Sequence, residues 1–164
     1  MCYNVTLIAN RNFNMNYVLD AVYEFDLTGK VKFGDMPEEA VYELFRDGRV
    51  ASKFLEHTIP TWFEDLEFVD GVGYDHVSRG TGRKYDLKGF TKGGACYAPS
   101  TMLGAGRKID RQVLHEHAES IDYILSDITE FPKVRIMFKS GSDLVNTYPS
   151  GKIPFKSKKV LFNV

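Results

Sequence analysis

Two aspartates and a lysine are spaced in this sequence so that they could form a hydrolytic metal site. Ten residues separate Asp75 from Asp86, and Lys88 follows two positions later. Because side chains alternate along a β-strand, Asp86 and Lys88 share one face, and a hairpin would bring Asp75 to within about 5 Å on the adjacent strand. Two converging carboxylates suit Mg²⁺, and a neighbouring lysine can orient an attacking water and offset developing negative charge. The pattern predicts metal-dependent phosphodiester hydrolysis, with Mn²⁺ able to substitute for Mg²⁺.

The same residues have other interpretations. Charged side chains also alternate on the solvent-exposed face of an ordinary strand, so the triplet alone does not decide the function. A zinc site is not favoured, because His115 and His117 are two positions apart on a predicted helix and Cys96 has no C-x-x-C partner. His57 and His76 lie near the carboxylates in sequence and could assist protonation of a leaving group, but a surface or core position is favoured for both.

The elements that would position these residues follow from hydrophobic periodicity. Residues 3–9 are predicted as a strand and residues 15–25 as a helix. A second helical pattern begins at 35–39, is interrupted at 47–48 and continues until Pro60 ends or kinks it. Later segments are predicted as strands at 66–70, 73–77, 83–90, 122–128 and 134–138, with a helix at 108–120. This order indicates a mixed α/β (α+β) domain.

The combination resembles the PD-(D/E)xK nuclease superfamily, which includes many type II restriction enzymes. The resemblance covers residues 37–139, in the order helix, three strands, helix and strand. It rests on an aspartate, ten residues and an acid-x-Lys triplet, preceded by a helix that carries a carboxylate. Tyr74 stands where the superfamily motif has its proline. The resemblance implies a restriction-endonuclease-like core, in which a central mixed β-sheet is flanked by helices.

The resemblance also implies roles for individual residues. Asp75 and Asp86 would bind the metal, and Lys88 would orient the attacking water. A glutamate from the preceding helix would be a further ligand, with Glu56 as the best match and Glu43 as a weaker candidate. The implied activity is a Mg²⁺-dependent DNA endonuclease that cuts both strands in a sequence-specific manner. Two active sites are needed for that reaction, so a homodimer on a palindromic site is expected.

Charge is distributed unevenly along the chain. The net charge is −1 overall, but residues 1–78 carry −8 and residues 79–164 carry +7. Basic side chains beside the proposed site would contact the phosphates of double-stranded DNA. The predicted DNA-binding residues are Arg79, Arg83, Lys84, Lys92, Ser100, Arg107 and Lys108. A chance partition of a neutral surface would give the same split.

Length and composition predict a single nuclease domain. The 164 residues divide into a core at about 37–139, an N-terminal extension at 1–36 and a basic C-terminal tail at 140–164, which after Pro149 is irregular or ends in a strand. There are only two cysteines, and neither a signal-peptide pattern nor a membrane-spanning apolar run is present. These features predict a cytoplasmic protein whose substrate is nucleoid DNA, with no membrane partner.

Two other functions fit the same motif. A structure-selective or nicking nuclease, as in repair or at junctions, would use the same site but recognise the shape of DNA. A non-catalytic nucleic-acid-binding module would bind DNA in a salt-dependent manner that is indifferent to Mg²⁺. Cleavage assays with plasmid and branched substrates separate the three functions.

Overall fold

A computed structural model describes residues 16–71 and 73–164 of the chain. The α-helices of the described chain are α1 (Glu38–Phe45), α2 (Gly48–Trp62), α3 (Arg111–Ser120), α4 (Gly141–Thr147) and α5 (Lys158–Phe162). The strands are β1 (Val22–Asp26), β2 (Leu66–Phe68), β3 (His76–Ser78), β4 (Lys84–Phe90), β5 (Ala95–Cys96), β6 (Asp122–Asp127), β7 (Lys133–Ser140) and β8 (Lys152–Ile153). The mixed α/β class is therefore confirmed. Within these ranges no helix is both long and apolar enough to cross a bilayer.

Six of the strands form one mixed sheet in the order β1-β7-β6-β4-β3-β2. β4 and β6 run parallel, whereas the other neighbouring pairs are antiparallel. Parallel neighbours need a crossover connection, and the chain between β4 and β6 contains α3. β5 and β8 form a separate two-stranded antiparallel sheet.

The two faces of β4 contribute to two hydrophobic clusters. Tyr85 and Leu87 pack with Ile59 of α2 in one cluster. Phe90 packs with Leu114 of α3 in the other. Helices therefore cover both faces of the central strand, as the alternation of its side chains requires.

The N-terminal part of the described chain differs from the sequence prediction. The predicted strand at 3–9 and the first residue of the predicted helix at 15–25 lie outside the described residues. The rest of that segment is not helical: Asp20 has a left-handed φ of 65°, and β1 begins at Val22. Tyr23 and Phe25 alternate into the core while β1 pairs with β7, and Val18 is exposed. The helical prediction was wrong because pairing with a distant strand decides the structure of this segment.

The helical patterns predicted from residue 35 to Pro60 are confirmed as α1 and α2, and the interruption has a clear cause. Asp47 caps α2 by accepting a hydrogen bond from the backbone N–H of Arg49. Pro60 does not end the helix, which continues to Trp62. Because proline has no N–H, it cannot donate to the carbonyl of Glu56 four residues earlier. That carbonyl accepts a hydrogen bond from Nε2 of His76 instead, at 2.8 Å.

The C-terminal segment is not an irregular tail. After Pro149 the chain forms β8 and then α5, and the sequence patterns do not predict α4. Leu144, Ile153 and Phe162 from this segment are buried in the cluster around α3. The start of α4 lies so close to α3 that a Cβ at Gly141 would be 1.9 Å from the carbonyl oxygen of Ala118. This contact therefore requires glycine.

Candidate functional site

The candidate site lies where β3 and β4 separate. β3 begins at His76, which pairs with Tyr85 of β4. Asp75 lies one residue before the strand, not within it as predicted, and its backbone N–H donates to the carbonyl of Tyr85 at 2.9 Å. Continuing the same antiparallel register places Asp75 opposite Asp86. The predicted hairpin therefore brings the two aspartates together.

The carboxylate of Asp75 takes part in the hydrogen bonding of β4. Its Oδ2 accepts a hydrogen bond from the backbone N–H of Leu87 at 2.8 Å. Beyond the point where β3 and β4 separate, which we call the β3–β4 fork, this N–H has no partner on β3. A buried backbone N–H is costly to leave unpaired. The hydrogen bond holds the Asp75 carboxylate against the strand that carries Asp86.

Asp86 and Lys88 form a close ion pair on the same strand. Nζ of Lys88 lies 2.9 Å from Oδ2 of Asp86, and Asp86 is only 7% exposed. Burial raises the pKa of Asp86 to about 7; the Asp75 carboxylate acts in the same direction, whereas Lys88 opposes it. The site therefore holds two neighbouring carboxylates with one lysine to balance them.

A cavity of about 630 Å³ brings the four predicted catalytic residues together, namely Glu56, Asp75, Asp86 and Lys88. Glu56 enters from α2, and the other three come from the β3–β4 fork. Ser100 and Thr101, from a 3₁₀ turn over Ser100–Met102, also line the cavity, as does His117 of α3. The cavity is thus formed by two helices, the sheet and the loop that follows β5.

The structure places Glu56, and not Glu43, at this cavity. Glu56 is 5% exposed, and its carboxylate accepts hydrogen bonds from Nζ of Lys53 at 2.6 Å and Oγ of Ser52 at 3.3 Å. Glu43 is exposed on α1, pairs with Arg46 and lines a different cavity. Of the two glutamates that the sequence offers, Glu56 is therefore the one near the aspartates.

Asp75 and Asp86 are the residues that fit a divalent cation. Their oxygens are hard donors, they lie side by side, and a cation would relieve the repulsion that contributes to the raised pKa of Asp86. Glu56 lines the same cavity, but Lys53 holds its carboxylate. Across residues 16–71 and 73–164, no three His, Cys, Asp or Glu side chains form a ready metal-binding group. A cation on the two aspartates would complete its coordination with water, as Mg²⁺ commonly does.

Three of the predicted DNA-binding residues lie on the loop beside the cavity. Ser100 lines the cavity itself. Arg107 is exposed, and its Nη1 donates to the carbonyl oxygens of Ser100 and Leu103 at 3.4 and 3.2 Å. Lys108 is exposed on the same loop. Arg107 therefore stabilises the turn that forms one wall of the cavity.

Arg83 is engaged within the protein. Its Nε and Nη2 donate to the two carboxylate oxygens of Asp122 at 2.8 and 2.7 Å. Asp122 is buried, so this bidentate pair joins β4 to β6 across their parallel register. In this structure the guanidinium of Arg83 acts as a structural link.

The remaining basic candidates lie at separate positions. Nζ of Lys84 lies 4.8 Å from the ring centroid of Tyr74, a residue that lines the main cavity. Arg79 is exposed next to the β3–β4 turn, with Nε 3.8 Å from Glu67. Lys92 lines the second cavity, of about 310 Å³. Only Lys84 among these three is directly associated with a residue of the main cavity.

His57 and His76 occupy a surface and a core position, as the sequence analysis favours. His76 is buried and its Nε2 is bound to the Glu56 carbonyl, while His57 is exposed and packs against Phe68 with ring centroids 4.4 Å apart. Sequence reasoning considered His117 only as a zinc ligand, yet it lines the cavity. The signal in the sequence was the position of His117 four residues after Val113, which places both on one face of the helix. In the structure that face lines the cavity.

The chain has no significant match to a protein-family model, to a curated protein or to a solved structure. The resemblance to PD-(D/E)xK nucleases therefore stays a prediction from the sequence. A function for this chain has to be argued from the geometry of the site.

Proposed function

We propose that this chain is a Mg²⁺-dependent DNA endonuclease. The observation that carries the proposal is the convergence of Asp75, Asp86 and Lys88 at the β3–β4 fork, with Glu56 lining the same cavity. Apart from the two-residue strand β5, the order α2, β2, β3, β4, α3, β6 is also the order that the PD-(D/E)xK resemblance implies. Burial of Asp86 beside a half-buried lysine and two further carboxylates is costly to stability, which favours a functional role over a solvated strand face.

Each residue has a chemical role in this proposal. Asp75 and Asp86 would hold the cation, and Glu56 would become a further ligand once the exposed Lys53 releases its carboxylate. When bound, Mg²⁺ supplies Lewis acidity at the phosphoryl oxygen and lowers the pKa of a bound water. Lys88, held 2.9 Å from Asp86, would orient the attacking water and offset the negative charge that develops on the phosphoryl group. The water oxygen bonds to phosphorus, the bond to the leaving oxygen breaks, and that oxygen takes up a proton.

Double-stranded DNA is the substrate that we propose. Ser100 lines the cavity and Lys108 lies on the same exposed loop, so a backbone that enters the cavity would pass polar and basic side chains. Cutting both strands requires two such sites, and a homodimer of the kind found among type II restriction enzymes would provide them. Sequence-specific cleavage belongs to the same proposal.

Cleavage of supercoiled plasmid across a Mg²⁺ titration, with sequencing of the ends, tests this function. Wild-type protein is expected to cut only with Mg²⁺ or Mn²⁺. Asp86→Ala and Lys88→Ala are each expected to lower the rate by about 100-fold or more, because each removes a charged group that acts on the transition state. Lys133→Ala, which changes an exposed lysine on β7, is the matched control and should cut like wild type.

The outcomes separate the alternatives. Wild-type rates in Asp86→Ala would refute the site. Discrete ends on linear plasmid support sequence-specific cleavage, whereas cutting of branched DNA alone supports a structure-selective nuclease. Salt-dependent binding that ignores Mg²⁺, with no cleavage, would leave a non-catalytic binding module.

A further inference from the structure

His117 is a cavity-lining side chain to which the proposed function gives no role. It lines the cavity together with Asp86 and Lys88. Its Nε2 is buried from solvent and has no hydrogen-bond partner within residues 16–71 and 73–164. Leaving a buried polar atom unpaired costs about 1–3 kcal/mol, so the presence of histidine here needs a reason beyond packing.

The burial of Nε2 indicates which ring nitrogen carries the proton. Burial, together with the positive charge of Lys88, lowers the pKa of His117, so the ring is neutral near pH 7. A neutral imidazole has one N–H donor and one acceptor, and an orphaned buried N–H is rarer than an under-satisfied buried acceptor. The other ring nitrogen of His117, Nδ1, is not both buried and without a partner. The favoured tautomer therefore has its proton on Nδ1 and its lone pair on Nε2.

α3 gives His117 a firmly held backbone. Asp110 caps the helix by accepting hydrogen bonds from the backbone N–H groups of Gln112 and Val113, at 2.9 and 3.1 Å. Leu114 and Ala118, three positions before and one after His117, are fully buried. A donor on such a helix is positioned before substrate arrives, which is the condition under which it stabilises a transition state.

We propose that His117 contacts the substrate, with its Nδ1–H donating a hydrogen bond to a non-bridging oxygen of the scissile phosphodiester. This inference rests on the proposed function. Lys88 is already paired with Asp86. A donor from α3 would therefore give the phosphate a hydrogen-bond partner that is not paired with a carboxylate of the site. His117 neither gains nor loses a proton: water forms the new bond to phosphorus, the bond to the leaving oxygen breaks, and that oxygen takes up the proton.

Nitrogen-15 NMR of the histidine rings tests the contact without any need for cleavage. In EDTA at neutral pH, His117 is expected as the Nδ1–H tautomer. Addition of a short DNA duplex should shift its Nδ1 resonance along a saturable curve. The resonances of His115, which is exposed on the same helix and 3.5 Å from Glu119, should stay in place. An Nε2–H tautomer, or a His117 resonance that does not respond to saturating duplex, would overturn the proposal.

Substitutions test the effect on the reaction. The amide nitrogen of asparagine can occupy the position of Nδ1, whereas that of glutamine reaches the position of Nε2. His117→Asn should therefore keep kcat within about 10-fold of wild type, while His117→Gln and His117→Phe should lower kcat by about 100-fold. KM should change little, His117→Phe should not lower thermal stability because it removes the unpaired buried Nε2, and His115→Phe should be neutral. Equal loss in all three His117 variants, accompanied by lower thermal stability, would indicate a structural role and refute the contact.

Failure of the two proposals can be told apart. If wild-type protein cuts no DNA at any Mg²⁺ concentration, the proposed function fails, and the NMR titration still decides whether His117 binds a phosphodiester. If wild type cuts and Lys88→Ala does not, the proposed function stands. An unaltered kcat in His117→Phe would then refute only the proposed contact of His117 with the phosphodiester.

Discussion

Replacing Asp86 with asparagine should change how the stability of the fold depends on pH. In the native state the pKa of Asp86 is raised to about 7, with burial as the main cause. In the unfolded chain an aspartate titrates near its ordinary pKa, about 3.9. Between these values the carboxyl is protonated in the folded protein and ionised in the unfolded chain. Unfolding therefore releases a proton, and the stability of the wild type falls as pH rises through this window.

The size of the effect follows from the two pKa values. Each unit of difference corresponds to about 1.4 kcal/mol, so three units destabilise the fold by about 4 kcal/mol once the pH is above 7. About 2 to 3 kcal/mol of this loss falls between pH 5 and pH 8. Asp86 is only 7% exposed, so solvent screening reduces the effect little. Asparagine does not titrate, and Asp86→Asn should lack this component.

Urea unfolding at pH 5, 6, 7 and 8 in EDTA measures the prediction. The free energy of unfolding of Asp86→Asn, relative to wild type, should rise by about 2 to 3 kcal/mol from pH 5 to pH 8. Asp70→Asn, which alters an exposed aspartate, is the matched control and should give a flat difference. A flat difference for Asp86→Asn as well would refute the claim that burial holds this carboxyl protonated.

Addition of Mg²⁺ extends the same measurement. A cation that binds only the native state stabilises it by mass action. Under the proposed function, Mg²⁺ should therefore raise the stability of the wild type at pH 8 by about 1 to 3 kcal/mol at saturating concentrations, and should do so far less in Asp86→Asn. Equal stabilisation of both proteins would place the Mg²⁺ site elsewhere.

Three further substitutions test the framework around the site. Arg83→Ala leaves the buried Asp122 carboxylate without its cationic partner and should lower the free energy of unfolding by about 3 kcal/mol, whereas loss of DNA affinity alone would contradict the structural link. His76→Ala should cost about 1 to 3 kcal/mol in chemical denaturation, because the Glu56 carbonyl loses its donor. Gly141→Ala should cost at least about 3 kcal/mol or fail to fold, and wild-type thermal stability in that variant would show that α3 and α4 separate freely.

The sequence predicts the central part of the candidate site because local patterns determine it. Asp86 and Lys88 alternate with buried Tyr85 and Leu87, so their common face follows from the strand alone. Glu56 follows from the helix before the hairpin. The hairpin places Asp75 opposite Asp86 even though Asp75 lies just before β3, because its backbone N–H continues the pairing.

The features that sequence reasoning missed depend on contacts between distant residues. Val18, Val22 and Phe25 recur at helical spacing, whereas Tyr23 and Phe25 alternate as in a strand, and only pairing with β7 selects the strand. Arg83 was expected at DNA, but Asp122 holds it from 39 residues away. The raised pKa of Asp86 likewise arises from burial by elements that the local sequence does not contain.

The proline in α2 affects how Glu56 is held relative to Asp75. The residue whose carbonyl Pro60 leaves unbonded is Glu56, and this residue also lines the cavity. A hydrogen bond joins the main chain of Glu56 to His76, which is the neighbour of Asp75. Glu56 and Asp75 are therefore held in position relative to each other. Displacement of α2 relative to the sheet would therefore have to break this hydrogen bond before it could carry Glu56 away from Asp75. The helical hydrogen bond that is missing at Pro60 is thus replaced by one that links α2 directly to the strand beside the site.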